Sequence, residues 1–583
     1  MLGSIISVED NIVKVRLSVD ILDLDNLINK NVIFEDKHLL VGEVFGVIAN
    51  TLSVLLIGEI KDNNFYYGDI IKPSFNSKCR IISKRELNII YKTDSLDKIL
   101  LGNSVIYDDY AINIDVNKFF ASHFAVLGNT GSGKSYAVAR IIQSIFYDAK
   151  RLPFKTNIFL FDAYGEYTKA FNNIGKNSSH INYKVVTTNT NDKTGELLKI
   201  PFWLLKTTDI ALLLEANDIN QIPVIEKALK LVCYFAKDEK LVIKQKNDII
   251  ARALLDIIFN GGAPAEIRNK VVSVLTKFNT STLKLDTLLT QPGWSRTLKQ
   301  CLYVEKNGKF ADVEIVISYL ESLLSDDFSL FLPDGSYKYG LEEFSKALEF
   351  ALISEGIFNS DKVYDYANIL KIRLNTLLNS EYAKYFSVDD FVTKEEFVKK
   401  LLTTKEGKKA QVVNFNINYI DDRFAKSLVK IYSRILFDYC TSLTKRASFP
   451  FHIILEEAHR YVQNDLDVSL FGYNIFERIT KEGRKYGILL GMISQRPSEI
   501  TQTAISQCSN FLMFKMFQQK DIDFVMSVVP NATDSIINKV KMLYPGVCLA
   551  FGNSFNMPVL VNVIKPNPEP YSENTNISQT WYV

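Results

Sequence analysis

Eight consecutive residues, Gly128-Asn129-Thr130-Gly131-Ser132-Gly133-Lys134-Ser135, have the types and spacing needed to hold a polyphosphate. Glycines at 128, 131 and 133 let the backbone turn tightly, so that successive N–H groups and the start of a following helix point at phosphate oxygens. Lys134 adds a positive charge at the β and γ positions, and Ser135 places a hydroxyl for a magnesium ion. ATP and Mg2+ are the cofactors such a loop implies.

Hydrolysis also needs an acid beside the metal and a group that orients or deprotonates the attacking water. Phe451 to Leu455 reads as a buried strand, and the adjacent carboxylates that follow place Glu456 toward the metal and Glu457 toward water. The same pair also suits the acidic N-cap of a following helix, where the dipole favours negative charge. Gln495 follows the apolar run Gly487 to Ser494 and is either a γ-phosphate sensor or an ordinary loop glutamine. Arg484 and Arg478, with Arg496 as a third choice, are either fingers reaching a neighbouring subunit's nucleotide or solvated helix charges. His123, His452 and His459 lie on or beside apolar runs with no ligand spacing and read as structural.

These groups need a scaffold. Apolar strands at Phe124 to Leu127 and Asn157 to Phe161 flank a helix-like stretch from Ser135 to Tyr147, a βαβ pattern that requires a parallel sheet. Strand-like runs return at Ala410 to Phe415, Phe451 to Leu455, Gly487 to Ile493, Phe511 to Phe514 and Gly546 to Phe551. Five segments follow: a small β-barrel over 1–98, the first part of an α/β core over 99–203, a helical insertion over 204–403, the second part of the core over 404–565, and a polar tail over 566–583. That tail ends on Trp581-Tyr582-Val583 and reads as a flexible strap with an aromatic anchor.

Composition sets outer limits. A chain of 583 residues, 47% hydrophobic and 23% charged, folds as several globular domains rather than as a disordered or fibrous chain. The net charge of +2 neither favours nor excludes nucleic acid. Six cysteines, none in a CxxC pair, argue against a zinc site or a disulfide framework and fit a reducing compartment. No apolar run approaches the ~18 residues of a membrane span. The N-terminus lacks a basic leader followed by an apolar block, and the chain reads as soluble and cytoplasmic.

Taken together, HFAVLGNTGSGKS, FLFDAYGEY, IPFWLL, IILEEAHRYV and KEGRKYGILLGMISQRPSEI, with the β-rich N-terminus, resemble the HerA family of the FtsK–HerA ATPases. The resemblance implies an α/β fold with a RecA-like P-loop core, an N-terminal β-barrel and an all-α insertion. It implies a homo-hexameric ring that threads double-stranded DNA through its channel with ATP. It also implies an effector docked on the barrel, a nuclease or, as in bacterial antiphage systems, a sirtuin-like enzyme. A ring of identical subunits also suits an ATP-regulated scaffold that controls such an effector. The family pattern falls on Lys134 and Ser135, on Asp162 and Glu166 near the nucleotide, on Glu456 and Glu457, on Gln495, and on Arg484 as the finger acting in trans. Ser122 stands where many relatives carry arginine, and Asp162-Ala163-Tyr164 replaces their usual D-P-H.

Overall fold

The apolar runs that the sequence marks as buried strands become one sheet in the computed structural model. Its description covers residues 1–18, 26–68, 71–91, 97–107, 110–147, 152–192, 195–259, 261–325, 337–355, 361–528, 539–571 and 581. The end of the tail, including Tyr582 and Val583 of the expected anchor, lies outside the described residues.

The N-terminal strands β1 (Gly3–Glu9), β2 (Ile12–Leu17), β3 (Asn31–Glu35), β4 (Leu39–Ile48), β5 (Thr51–Lys61), β6 (Asn64–Tyr67) and β7 (Lys78–Ile81) pair in the order β2-β1-β7-β3-β4-β5-β6. A further β2–β5 pairing closes six of them into a barrel, with β6 added on the outside of β5. Alternating residues point inward, so Val13, Val15, Val32, Phe34, Val44, Leu52 and Val54 form its core.

The second sheet begins with β8 (Lys98–Ser104), β9 (Ala111–Asp115), β10 (His123–Leu127), β11 (Ile158–Asp162), β12 (Tyr183–Thr187) and β13 (Glu196–Leu197). A separate hairpin, β14 (Leu288–Gln291) and β15 (Trp294–Thr297), belongs to the inserted unit. The sheet is completed by β16 (Val412–Asn416), β17 (Phe451–Leu455), β18 (Ile488–Ser494), β19 (Cys508–Met513), β20 (Val547–Gly552) and β21 (Val559–Val563). Its order is β13-β12-β16-β11-β17-β18-β10-β19-β20-β21-β8-β9. The run from β13 to β19 is parallel, and the remaining strands extend it antiparallel.

Strand β10 lies between β18 and β19, while the chain leaving it returns on the far side of β17 as β11. The order reverses there, and such a reversal opens a crevice at the carboxyl ends of the strands. Phe119, Phe124, Phe146, Tyr167 and Phe171 fill one face of the sheet. On β11 and β16, Phe161 stacks on Phe415 with ring centroids 4.8 Å apart, and Tyr432 of helix Asp422–Ser442 lies 4.9 Å from Phe415. This packing fixes the strand ends that carry Asp162 and Asn416.

The chain divides into two compact units, the second made of Leu198–Phe397 with Asp465–Gly472. The sequence alone predicts an insertion over 204–403; the short helix Leu466–Phe471 joins this unit because it packs against helix Thr207–Leu213. Among its described residues the unit is helical apart from the β14–β15 hairpin and an isolated bridge between Val304 and Phe310, a correction to the all-α expectation. Its core includes Phe202, Phe344 and Phe386 in contact.

His123 and His452 are structural, as expected. Leu490 N donates to His123 Nδ1 (2.9 Å), and His452 Nε2 lies 2.8 Å from Phe120 O. Burial pushes His123 down to about 4. The unfolded chain takes up this proton near the ordinary value of 6.5 and the folded chain does not, so stability is lost as pH falls from about 6.5 to 4. The loss reaches about 3 kcal/mol for this group. Denaturant titrations across that range should show a shallower acid-side decline for His123→Gln than for the parent; equal declines contradict a neutral buried His123.

Candidate functional site

The P-loop follows β10 directly, and helix Lys134–Tyr147 begins within it. Gly128 N donates to Ser494 O (3.2 Å), Asn129 N to Lys515 O (2.9 Å) and Gly546 N to Ser132 O (2.9 Å), so three neighbouring segments hold the loop. Gly128 has φ 152° and a Cβ there would meet Phe514 Cβ at 2.5 Å; Gly133 has φ 113° and a Cβ would meet Gly546 N at 3.1 Å. Both positions therefore need glycine, for conformation and for space. Lys134 is buried and donates from Nζ to Asn129 O (2.9 Å), and burial pushes its ammonium below the usual range.

The carboxyl side of the site comes from the ends of β11 and β17. Asp162, fully buried, accepts from Glu166 N (3.0 Å), Tyr167 N (2.9 Å) and Asn414 Nδ2 (3.2 Å). These bonds fold the turn that carries Glu166 beside Ser135, whose hydroxyl favours the charged form of the Glu166 carboxyl. Asp162 thus positions Glu166. Glu456 accepts from Ala163 N (2.8 Å) and stands beside Asp162. Burial raises Glu456 first, and the Asp162 and Glu166 carboxylates raise it further.

Glu457 adopts the left-handed backbone conformation (φ 50°, ψ 47°), costly for a residue with a Cβ. It stands at the start of the short turn Ala458–Arg460 but makes no side-chain capping bond, so the N-cap reading does not describe it. The strain instead turns its carboxyl into the site. Burial raises it, while Lys134, Arg460 and the backbone N–H of Gln495 favour its charged form. His459 Nδ1 lies 3.2 Å from Glu457 Oε2 and 3.1 Å from Ser494 Oγ.

Gln495 joins the two halves: Thr130 Oγ1 of the P-loop donates to Gln495 Oε1. The sequence-predicted group Lys134, Ser135, Asp162, Glu166, Glu456, Glu457 and Gln495 therefore meets at the carboxyl ends of β10, β11, β17 and β18. The arginines do not join it. Arg478 pairs with Glu482 (3.5 Å) and covers the Phe437 ring, and Arg496 pairs with Glu499 (3.1 Å). Arg484 is exposed and lines a cavity with Phe120, Ala121, His452 and Leu489, at the amino ends of the strands. Its charge helps depress His123 at the start of β10. Position 122 is also at that end: Ser122 is buried there and accepts from Asn510 Nδ2 (3.1 Å), so a longer residue there would begin a strand length away from its own P-loop.

Sequence reasoning missed Arg460, which bears on Glu457 and pairs with Asp422. It also missed Asn414, which fixes Asp162. The order Glu-Glu-Ala-His-Arg could have flagged Arg460, one turn beyond the acids; Asn414 gives no local signal.

The donor set fits a magnesium nucleotide. Asp162, Glu166, Glu456 and Glu457 crowd together, each carboxyl raised first by burial, and the buried Glu166 Oε2 and Glu457 Oε2 have no hydrogen-bond partner among the described residues. A divalent cation is the partner that relieves such crowding. Ser135, Glu456 and Glu166 would hold it or its waters, and Lys134 and the loop N–H groups would meet the phosphates. Glu457→Gln, nearly isosteric, should keep ATP binding while turnover falls about 100- to 1,000-fold or more. Equilibrium binding beside single-turnover hydrolysis checks this, and full turnover in the variant contradicts the assignment of Glu457 to water.

A family model described as "Helicase HerA, central domain" matches residues 99–324. The chain is 23% identical over 534 residues to the DNA double-strand break repair helicase HerA of Pyrococcus furiosus, covering 90% of this chain and 78% of that one. It is 22% identical over 555 residues to the probable DNA double-strand break repair helicase HerA of Methanocaldococcus jannaschii, covering 92% of each. Among solved structures it is similar to VirB4 of Thermoanaerobacter pseudethanolicus (9% identity, TM-score 0.44, 84% of this chain and 99% of that one). The chain is thus similar to HerA helicases over most of its length, and the matching family model spans the first part of the core and much of the inserted unit.

Proposed function

We propose that this chain is one subunit of a homo-hexameric ring that hydrolyses Mg·ATP to drive double-stranded DNA through its channel past a bound effector. The observation that carries the ATPase reading is the convergence of Lys134, Ser135, Glu456, Glu457 and Gln495 on one crevice, with paired buried acids and a strained Glu457. In the chemical step Glu457 takes a proton from the attacking water as its oxygen bonds to the γ-phosphorus. The bond to the bridging oxygen of ADP breaks, and Lys134 meets the charge that builds on the departing phosphates. Ser135 and Glu456 would hold a magnesium ion, which would neutralise charge developing on the phosphates. Gln495, bonded to Thr130, reports γ-phosphate loss to β18 and the helix before it.

The exposed Arg484 supports a ring. It sits at the opposite end of the strands from its own P-loop and makes no ion pair among the described residues. A head-to-tail ring brings the Arg484 of one subunit to the nucleotide of the next. The DNA substrate is inferred from relatives named as DNA double-strand break repair helicases. The setting fits DNA end processing or antiphage defence with a nuclease or sirtuin-like partner. The barrel offers a docking face, with Ile48 77% and Phe75 63% exposed. That face equally serves a scaffold whose ATP state controls the partner enzyme. No helix among the described residues is long and apolar enough to cross a membrane.

Duplex DNA should raise ATP turnover severalfold at low salt, and less as salt rises, because backbone contacts release counterions. Steady-state hydrolysis across a salt series measures it. Turnover indifferent to DNA at every salt, with effector activity dependent on Lys134, favours the scaffold instead.

A further inference from the structure

The phosphate-binding reading accounts for one half of a nucleotide and leaves the nucleoside without a protein partner. Lys134 and Glu457 mark the γ end of the site. The polyphosphate therefore runs back along the loop and leaves it past the first helical turn, where Tyr136 follows Ser135. A segment remote in sequence is fastened at that point. Asn567 N donates to Gln143 Oε1 (2.9 Å), Gln143 Nε2 to Pro568 O (2.8 Å) and Tyr147 OH to Asn567 O (2.9 Å). These bonds lay residues 565–571 along the outside of the P-loop helix.

The segment then reaches the site itself. Tyr136 OH donates to Glu569 Oε2 (2.6 Å), and Tyr571 N donates to Glu166 O (2.7 Å), on the residue that faces Ser135. Tyr136, Lys169, Glu569 and Tyr571 line a cavity of about 300 Å3, the lower end of the range for small-ligand pockets. Lys169 Nζ lies 5.5 Å from the centre of the Tyr571 ring, yet that ring is 61% exposed although its backbone is fixed. An aromatic ring held at such a place without cover has the chemistry of a stacking platform. A carboxylate beside it has the chemistry that takes ribose hydroxyls.

We propose that residues 565–571 form the nucleoside wall of the ATP site, with the Tyr571 ring carrying the base and Glu569 accepting from the ribose hydroxyls. This rests on the phosphate-binding reading of the P-loop. It makes the C-terminal segment a part of nucleotide selection, and loading of the nucleotide tightens its grip on the Glu166 turn.

The test compares ATP with inorganic tripolyphosphate, both with Mg2+, by competition binding to the full chain. Tyr571→Ala should weaken ATP about three- to tenfold and leave tripolyphosphate unchanged. Glu569→Gln should erase the preference of the parent for ATP over 2′,3′-dideoxy-ATP. Lys134→Ala should weaken ATP and tripolyphosphate together. Unchanged ATP affinity in Tyr571→Ala and Glu569→Gln overturns the proposal. So does an equal loss of both ligands in those variants, which reduces the segment to a brace on the helix. If Lys134→Ala keeps both ligands, the phosphate site is itself misplaced, a pattern distinct from either of these.

Discussion

Four carboxyl groups, three buried and one half-buried, beside one lysine are the constraint on which the rest of the core depends. Asp162, Glu166, Glu456 and Glu457 stand at the ends of apolar strands, where unpaired charge is expensive. The fold offsets that cost with hydrogen bonds from backbone N–H groups to Asp162 and from Ala163 N to Glu456, and with the Ser135 hydroxyl near Glu166 and the Gln495 N–H and Lys134 near Glu457 favouring their charged forms. Acids and partners together come from four strands, β10, β11, β17 and β18, so only a completed parallel sheet brings them all together. The unpartnered oxygens that remain define where a cation is wanted.

The left-handed backbone at Glu457 follows from the same constraint. Continuing β17 in extended form would send successive side chains to opposite faces, and Glu456 and Glu457 could not both face the crevice. One strained residue lets both acids serve one site.

Much of this was legible in the sequence because it is local. The P-loop, its strand and its helix are contiguous, and apolar runs ending in polar residues announce buried strands with functional ends. The barrel was legible through alternation. What stayed hidden depends on partners far apart in sequence. Asn414 meets Asp162 across 252 positions, and Gln495 meets Thr130 across 365. The antiparallel extension through β21, β8 and β9 joins segments from opposite ends of the core. The helix Leu466–Phe471 leaves the core for the inserted unit by packing alone. The tail, polar and proline-containing, gives no sign in sequence that residues 565–571 grip the P-loop helix.

The phosphate loop and Arg484 lie at opposite ends of the same strands, and the proposed ring makes them two half-sites, each completed by a neighbour. Subunit mixing tests this most directly. Lys134→Ala keeps the arginine and loses the phosphate grip; Arg484→Ala keeps the phosphate grip and loses the arginine. Each variant alone should be close to inactive as an ATPase, and co-assembled rings of the two should regain turnover, because intact halves then meet across an interface. Mixed rings as inactive as either parent, or full activity in Arg484→Ala alone, contradict a site shared between neighbours.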